Sequence, residues 1–249
     1  LGHAATAVVN CQTPTTIDGV QYRPLRDCST IDADVLIGMT TGDRLSFDDL
    51  RIRDIRASLR VAWVQGVPHP HALDALAPDY VCVASEFLRH ACIDRWGVPA
   101  EKLFVCYNGL HPDVVQPPGS IRCTRDPYRM VYVGPTAKGL GPALEILRRL
   151  RSWEPRFSLD VFGGDPLWGG ANTHQDMPEG AHYRGMVSQA ALAKSLQDYE
   201  YCIAPQLIEE GFGIAVQEAK RSGAVVLASA VGAFSELFRN HWDGDLIQG

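Results

Sequence analysis

The amino-acid sequence predicts an α/β protein built from two doubly wound parallel sheets, and three observations carry that reading. Short, nearly continuous apolar runs recur along the chain, as expected of strands buried on both faces. Helix-capable runs alternate with them, which implies right-handed crossovers. A break, Val115-Gln116-Pro117-Pro118-Gly119-Ser120, divides the pattern into two halves and reads as a linker.

In the first half the strand candidates are Ala7-Val8-Val9, Val35-Leu36-Ile37, Val61-Ala62-Trp63-Val64, Tyr80-Val81-Cys82-Val83 and Leu103-Phe104-Val105-Cys106. Ser85 is suited to cap a helix from Glu86 to Trp96, which Gly97 and Pro99 stop. The second half restarts at Met130-Val131-Tyr132-Val133. It continues through Leu159-Asp160-Val161-Phe162, Tyr201-Cys202-Ile203-Ala204 and Ala224-Val225-Val226-Leu227. Helical runs lie between them, notably 142–152, 188–198 and 214–221, the last stopped by Gly223. A ligand is expected at the carboxyl ends of the strands, in a cleft between the halves.

Composition narrows the class. The chain has 249 residues, 46% of them hydrophobic, enough for one large or two small domains. A net charge of −6 and a pI near 5.7 argue against a surface that tracks nucleic-acid phosphates. Seven scattered cysteines without a C-x-x-C pair suggest buried free thiols in a reducing compartment. The longest nearly apolar run, 223–234, is too short to span a bilayer. With no signal peptide in view, a cytoplasmic location is expected.

The richest chemistry lies in Glu209-Glu210-Gly211-Phe212-Gly213-Ile214-Ala215-Val216-Gln217-Glu218-Ala219. Glu210 and Glu218 stand eight positions apart around a Gly-Phe-Gly turn, between a strand and a helix. Eight helical positions span roughly 12 Å, about the length of a sugar nucleotide. Glycine lets backbone approach a ligand, and the free N–H groups of a new helix favour a diphosphate. A strand–turn–helix with glycines also occurs in any α/β domain, so the spacing alone does not decide.

The wider run does more. Pro205…Glu210-Gly211-Phe212-Gly213…Glu218-Ala219…Gly223-Ala224-Val225-Val226-Leu227-Ala228-Ser229…Gly232…Glu236 resembles the donor-site signature of the retaining glycosyltransferases of family 4, group 1 enzymes with the GT-B fold. The resemblance implies two Rossmann-like domains facing a cleft. Residues 1–117 would form the acceptor-side domain and residues 118–249 the domain that binds a nucleotide-diphosphate sugar. It gives Glu210 the donor sugar and Glu218 the ribose hydroxyls.

A second element, Tyr132-Val133-Gly134-Pro135-Thr136-Ala137-Lys138-Gly139-Leu140-Gly141, is a strand, a glycine-rich loop and a helix start. It is neither a P-loop nor a dinucleotide fingerprint. The resemblance assigns Lys138 to the diphosphate, with Gly134, Pro135 and Gly139 beside it; an ordinary loop with a solvated lysine explains the same residues. The family carries an arginine where this chain has Pro135, so one pyrophosphate charge is absent. Tyr183-Arg184-Gly185-Met186-Val187-Ser188 is similar to the passage that meets the nucleobase, which places Met186 and Val187 there. Gly163-Gly164-Asp165 follows a strand as in the family, and Ser85-Glu86-Phe87 and Asn108-Gly109-Leu110 match markers of its first domain.

Gln65 stands where many members have a histidine facing the donor sugar; it can hydrogen-bond a hydroxyl but not act as an acid. His69 and His71 invite a metal reading, but spacing places no third ligand, and surface-loop histidines are expected. No metal and no cofactor are implied, only the nucleotide sugar as donor substrate. Arg148, Arg149, Arg151 and Arg156 could touch anionic lipid, so peripheral membrane contact stays open, although cations at a helix C-terminus are ordinary. The first βα unit and a final helix of the family pattern would lie outside 1–249, as in a chain trimmed at both ends.

The expected activity is transfer of a sugar, with retention, from a nucleotide-diphosphate sugar to a glycan, lipid-linked sugar or small natural product. The alternatives are a non-catalytic sugar-nucleotide-binding module and a sugar-nucleotide epimerase of the same fold.

Overall fold

The computed structural model describes residues 2–40, 50–51, 53–67, 73–110, 124–164 and 177–238, and the strand at 245–247. The chain forms two compact units. One comprises Leu1–Val83 and Ala91–Phe104, the other Ala84–His90 and Val105–Gly249.

The first unit holds two sheets. In the smaller, β1 (Ala5–Val9) runs parallel to β3 (Val20–Pro24), and β3 pairs antiparallel with β2 (Thr15–Ile17). The 7–9 run is a parallel strand, as the sequence predicts, but it is not buried and its sheet is mixed rather than parallel. The reason is the Asp18-Gly19 turn: both residues have positive φ, the conformation of a tight hairpin, and fold β2 back onto β3. In the larger sheet, β4 (Thr30–Thr40), β5 (Asp54–Val64) and β6 (Tyr80–Val83) are parallel, followed in order by β7 (Leu103–Val105). Ala62, Val64, Val81 and Val83 are buried, while Val35, Ile37 and Met39 of β4 are more than 45% exposed. The run in β4 is therefore apolar without being buried on both faces.

The second unit is a six-stranded sheet of order β10-β9-β8-β11-β12-β13, parallel at every pairing. Its strands are β8 (Asp126–Val133), β9 (Ser158–Phe162), β10 (Ala181–Gly185), β11 (Tyr199–Ala204), β12 (Val225–Ser229) and β13 (Asp245–Ile247). The helices are α1 (Glu86–Trp96, whose first turn belongs to this unit), α2 (Thr136–Trp153), α3 (Gln189–Leu196), α4 (Ile214–Arg221) and α5 (Phe234–Leu237). One sheet face packs Met130, Tyr132, Leu159, Val161 and Ile203 against Leu140, Ala143, Leu144 and Leu147 of α2. The other packs Val131, Phe162, Cys202, Ala204, Val226 and Ala228 against Leu196 of α3, Val216 and Ala219 of α4, and Phe234. Both faces covered is what a parallel sheet requires, and it explains the unbroken apolar runs.

The chain leaves β8 for β9 and β10 on one side, then crosses to β11, β12 and β13 on the other. The strand order thus reverses between β8 and β11, and in doubly wound sheets the crevice that takes a ligand lies at that point, between the loops that leave the carboxyl ends of the strands.

Cys28, Cys82, Cys92 and Cys202 are buried thiols outside any disulfide, and Cys106 is an exposed one. Burial pushes the Cys92 and Cys202 thiols up to about 12. The arginines in and after the last turns of α2 are paired: Arg148 and Arg149 with Glu145 and Arg156 with Glu154 at the surface, and the mostly covered Arg151 with Glu179 and the Phe157 carbonyl. That is the solvated face the sequence suggested.

Candidate functional site

Two loops frame the crevice between β8 and β11. The first follows β8. The Gly134 N–H donates to the Phe162 carbonyl at 3.1 Å, and the Tyr132 hydroxyl donates to the Pro135 carbonyl at 2.8 Å. Pro135 precedes the helix, which turns through Lys138 and is interrupted at Gly139 before it continues to Trp153. A side chain at Gly139 would meet the Pro205 carbonyl oxygen at 2.3 Å, so only glycine lets this loop lie against the loop after β11. Pro142 falls in the first turn after the interruption, where a missing N–H costs nothing. The main length of α2 therefore begins at the crevice, with its first N–H groups unused inside the helix.

The second loop runs from Pro205 to Gly213. The Leu207 N–H donates to the Lys138 carbonyl at 2.8 Å, stitching the two loops together. Gln206 is buried. Gly213 caps α4 in the left-handed region, with φ of 76°, and a Cβ there would lie 2.3 Å from the buried Phe234 ring. This glycine turns the chain into α4 and aims the helix's first N–H groups, and the positive end of its dipole, back at the crevice.

The side chains complete the arrangement. Lys138 Nζ and Glu210 Oε2 form an ion pair at 2.7 Å, with side chains 24% and 12% exposed. The Gly211 N–H also donates to Glu210 Oε1 at 3.1 Å. Glu218, on α4, is 4% exposed and accepts from Gln189 Nε2 at 2.8 Å. Gln189 opens α3, whose cap is Ser188, accepting the Ala191 N–H at 3.3 Å. Met186 and Val187, just before it, are 50% and 42% exposed at the end of β10.

The loop after β11 is gripped from behind. The Ala233 N–H donates to the Glu210 carbonyl at 2.9 Å. Gly232 lies so near that a Cβ would be 2.5 Å from Glu210 N and O. The Ser85 hydroxyl donates to the Gly211 carbonyl at 2.7 Å and accepts the Leu88 N–H at 3.1 Å. Glu236 accepts the N–H groups of Glu86 and Phe87 at 3.0 and 2.9 Å, capping α1. Phe212 is buried, with its ring 6.1 Å from that of Tyr107.

Of the residues singled out in sequence, Gly134, Pro135, Lys138, Gly139, Glu210, Gly211, Phe212, Gly213 and Glu218 lie in the two loops and the helices they open; Met186 and Val187 lie at a neighbouring strand end. Gln65 belongs to the other unit, at the carboxyl end of β5, where its N–H donates to the Thr40 carbonyl at 2.8 Å. His69, His71, Asp165 and the linker at 115–120 lie outside the described residues. Sequence reading did not identify Gln189, nor that Gly232, named in the signature, clasps Glu210 together with Ala233; a glutamine at a helix start carries no signal for a partner 29 positions away.

The arrangement joins two largely enclosed carboxylates, a lysine and two helix starts at a reversal of strand order. Residues 127–249 match the family Glycosyl transferases group 1. No curated protein matches the chain. Among solved structures, the chain is similar to S. aureus TarM (a mutant form in complex with Fondaparinux, alpha-GlcNAc-glycerol and UDP), at 13% identity and a TM-score of 0.61. That alignment covers 78% of this chain and 41% of TarM. It is similar to Anabaena Alr3699/HepE, solved with UDP and glucose, at 18% identity and a TM-score of 0.58, over 86% of this chain and 57% of that one. WaaG, a glycosyltransferase involved in lipopolysaccharide biosynthesis, aligns at 14% identity and a TM-score of 0.69, over 99% of this chain and 78% of WaaG. The chain thus spans about half the length of the first two, and at these identities the likeness establishes the α/β, Rossmann-like fold of GT-B glycosyltransferases. No helix among the described residues is long and apolar enough to cross a membrane, and no group of three or more candidate metal ligands occurs among them.

Proposed function

We propose that the second unit binds a nucleotide-diphosphate sugar and that the chain takes part in retaining glycosyl transfer of the family 4 type. The observation that carries this reading is the placement of Glu210 just before the turn that opens α4 and of Glu218 on α4 itself, with Lys138 held against Glu210 across the crevice.

The chemistry follows from the positions. A diphosphate leaving group gains charge as the glycosidic bond breaks, and Lys138 with the starts of α2 and α4 supplies fixed positive potential there. Glu210 orients the sugar and offsets positive charge at the anomeric carbon, as a carboxylate does in glycosidases. Glu218, buried and oriented by Gln189, takes the ribose hydroxyls. The exposed Met186 and Val187 offer an apolar seat for the base. The family match at 127–249 supports glycosyl transfer in general. The reading routes no step through a metal; Lys138 and the starts of α2 and α4 offset part of the diphosphate charge. The acceptor, a glycan, lipid-linked sugar or small natural product, would be met by the first unit. A cytoplasmic location, where nucleotide sugars are made, fits the reading.

The test is turnover of UDP-, GDP- and ADP-sugars followed by proton NMR. An α-linked donor should give an α-configured product, and Glu210→Ala should abolish turnover in a folded chain. Inverted product, or full activity in Glu210→Ala, would refute the proposal. Binding without turnover would favour the non-catalytic module, and an epimerised donor without acceptor the epimerase.

A further inference from the structure

The ion pair between Lys138 and Glu210 has a consequence for which ligand the site favours. We infer that it is an exchange contact that discriminates a sugar-bearing donor from the bare nucleoside diphosphate left after transfer. The inference rests on the donor-site reading above and adds to it a distinction between substrate and product.

Glu210 is mostly buried and both of its carboxylate oxygens are engaged, Oε2 by Lys138 at 2.7 Å and Oε1 by the Gly211 N–H at 3.1 Å. Lys138 stands on the first turn of α2 and Glu210 on the loop after β11. Each loop is fixed, one by the Leu207–Lys138 hydrogen bond, the other by the Ala233–Glu210 hydrogen bond. The pair therefore closes without backbone rearrangement and is one of the resting contacts between the two loops. A diphosphate entering between the helix starts competes for the Lys138 ammonium. Once Lys138 turns to phosphate, a mostly buried carboxylate is left with the Gly211 N–H alone, and it also faces the new anion. Leaving a buried acceptor short of a partner is costly.

A donor with its sugar attached repairs this, because a sugar hydroxyl can donate to the Glu210 oxygen that Lys138 vacates. The bare diphosphate cannot. The pair thus lowers affinity for any diphosphate but lowers it less for one that brings a hydroxyl. After transfer, re-formation of the pair helps to expel the nucleotide. Glu210 and Lys138 would act here as specificity determinants in addition to their roles on the sugar and the phosphate.

The size of the effect follows from the fraction of sites in which Lys138 has turned away from Glu210. A pair this well enclosed lies at or above the upper end of the range for surface pairs, which corresponds to an affinity penalty of about fivefold. Isothermal titration of the full chain with UDP, GDP and ADP, and with UDP-glucose, GDP-mannose and ADP-glucose, tests this. The nucleoside diphosphate that binds wild type should bind Glu210→Gln about fivefold more tightly, while its sugar conjugate gains nothing. In a Lys138→Met background, where no pair is broken, the Glu210→Gln gain should shrink to what repulsion alone gives. Should Glu210→Gln fail to fold, Glu210→Ala is expected to shift diphosphate affinity in the same direction. Unchanged or weaker diphosphate binding in the Glu210 variants would overturn the inference, as would a gain of the same size in Lys138→Met, since that would be repulsion alone. Glu218→Ala separates the two levels. If it leaves diphosphate binding unchanged, or if no nucleotide binds wild type, the donor-site reading itself fails.

Discussion

Gly232→Ala tests how Glu210 is held. Gly232 sits at φ of 62°, in the left-handed region, where a side chain costs roughly 1–2 kcal/mol. Its new Cβ would stand 2.5 Å from both the nitrogen and the carbonyl oxygen of Glu210, backbone atoms that cannot rotate away. Ordinary contact lies roughly 1 Å further out. The Glu210 backbone must give way by that amount, weakening the 2.9 Å hydrogen bond from Ala233 at a cost of about 1 kcal/mol. Together these predict a loss of about 2–3 kcal/mol, or roughly 5–10 °C in the midpoint of thermal unfolding for a chain of this size. Displacing the Glu210 carboxylate by about 1 Å should also lower turnover roughly 100-fold. Gly141→Ala is the control, because nothing lies within 4 Å of the added carbon and the site is helical. It should be neutral or slightly stabilising. Circular dichroism melts and donor turnover decide the matter. A Gly232→Ala chain that melts and turns over like wild type would refute the reasoning.

Three further outcomes follow. Gln189→Leu leaves Glu218 intact but removes its hydrogen-bond donor; donor KM should rise about tenfold with kcat little changed, measured by steady-state kinetics. Glu236→Gln weakens the charge-assisted cap on α1 and should cost about 1 kcal/mol in a denaturant titration, with Glu236→Ala costing more. Asp160 is buried, which by itself raises its pKa, yet hydrogen bonds from Tyr199 and Arg184, the charge of Arg184 and a hydrogen bond from Arg129 outweigh burial and leave it lowered. A lowered folded value means that its contribution is present above the ordinary carboxyl value of 3.8 and fades as pH falls through the folded one. Asp160→Asn should therefore destabilise the chain by about 2 kcal/mol at neutral pH. The gap from wild type should close in acid, and a gap independent of pH would count against this.

Much of the second unit was legible because its signals are local. Ser85 does cap α1, Gly213 and Gly223 do bound α4, and the apolar runs at 130–133, 159–162 and 201–204 do form adjacent buried strands. Lengths were harder to read. β4 and β5 each extend to 11 residues, because Arg56, Arg60 and the aspartates at 32, 34 and 54 tolerate a strand with one wet side. The β2–β3 hairpin did carry a local signal, Asp18-Gly19 between short β-prone runs, but a search for apolar runs passes over it. The carboxylates Glu210 and Glu218 were visible as a pattern, and Lys138 as a site residue, whereas the pairings they make were not. Lys138 lies 72 positions from Glu210, and Glu236 caps a helix 150 positions away. Such pairings follow from strand order, which local propensity does not encode.

Hydrogen exchange of the full chain, followed by mass spectrometry with and without saturating UDP, GDP or ADP, tests the donor site most directly. Protection should appear in peptides covering 134–140, 186–189 and 209–216, the loop after β8, the start of α3 and the turn into α4. Protection confined to other peptides, or none with any of the three nucleotides, would contradict the account.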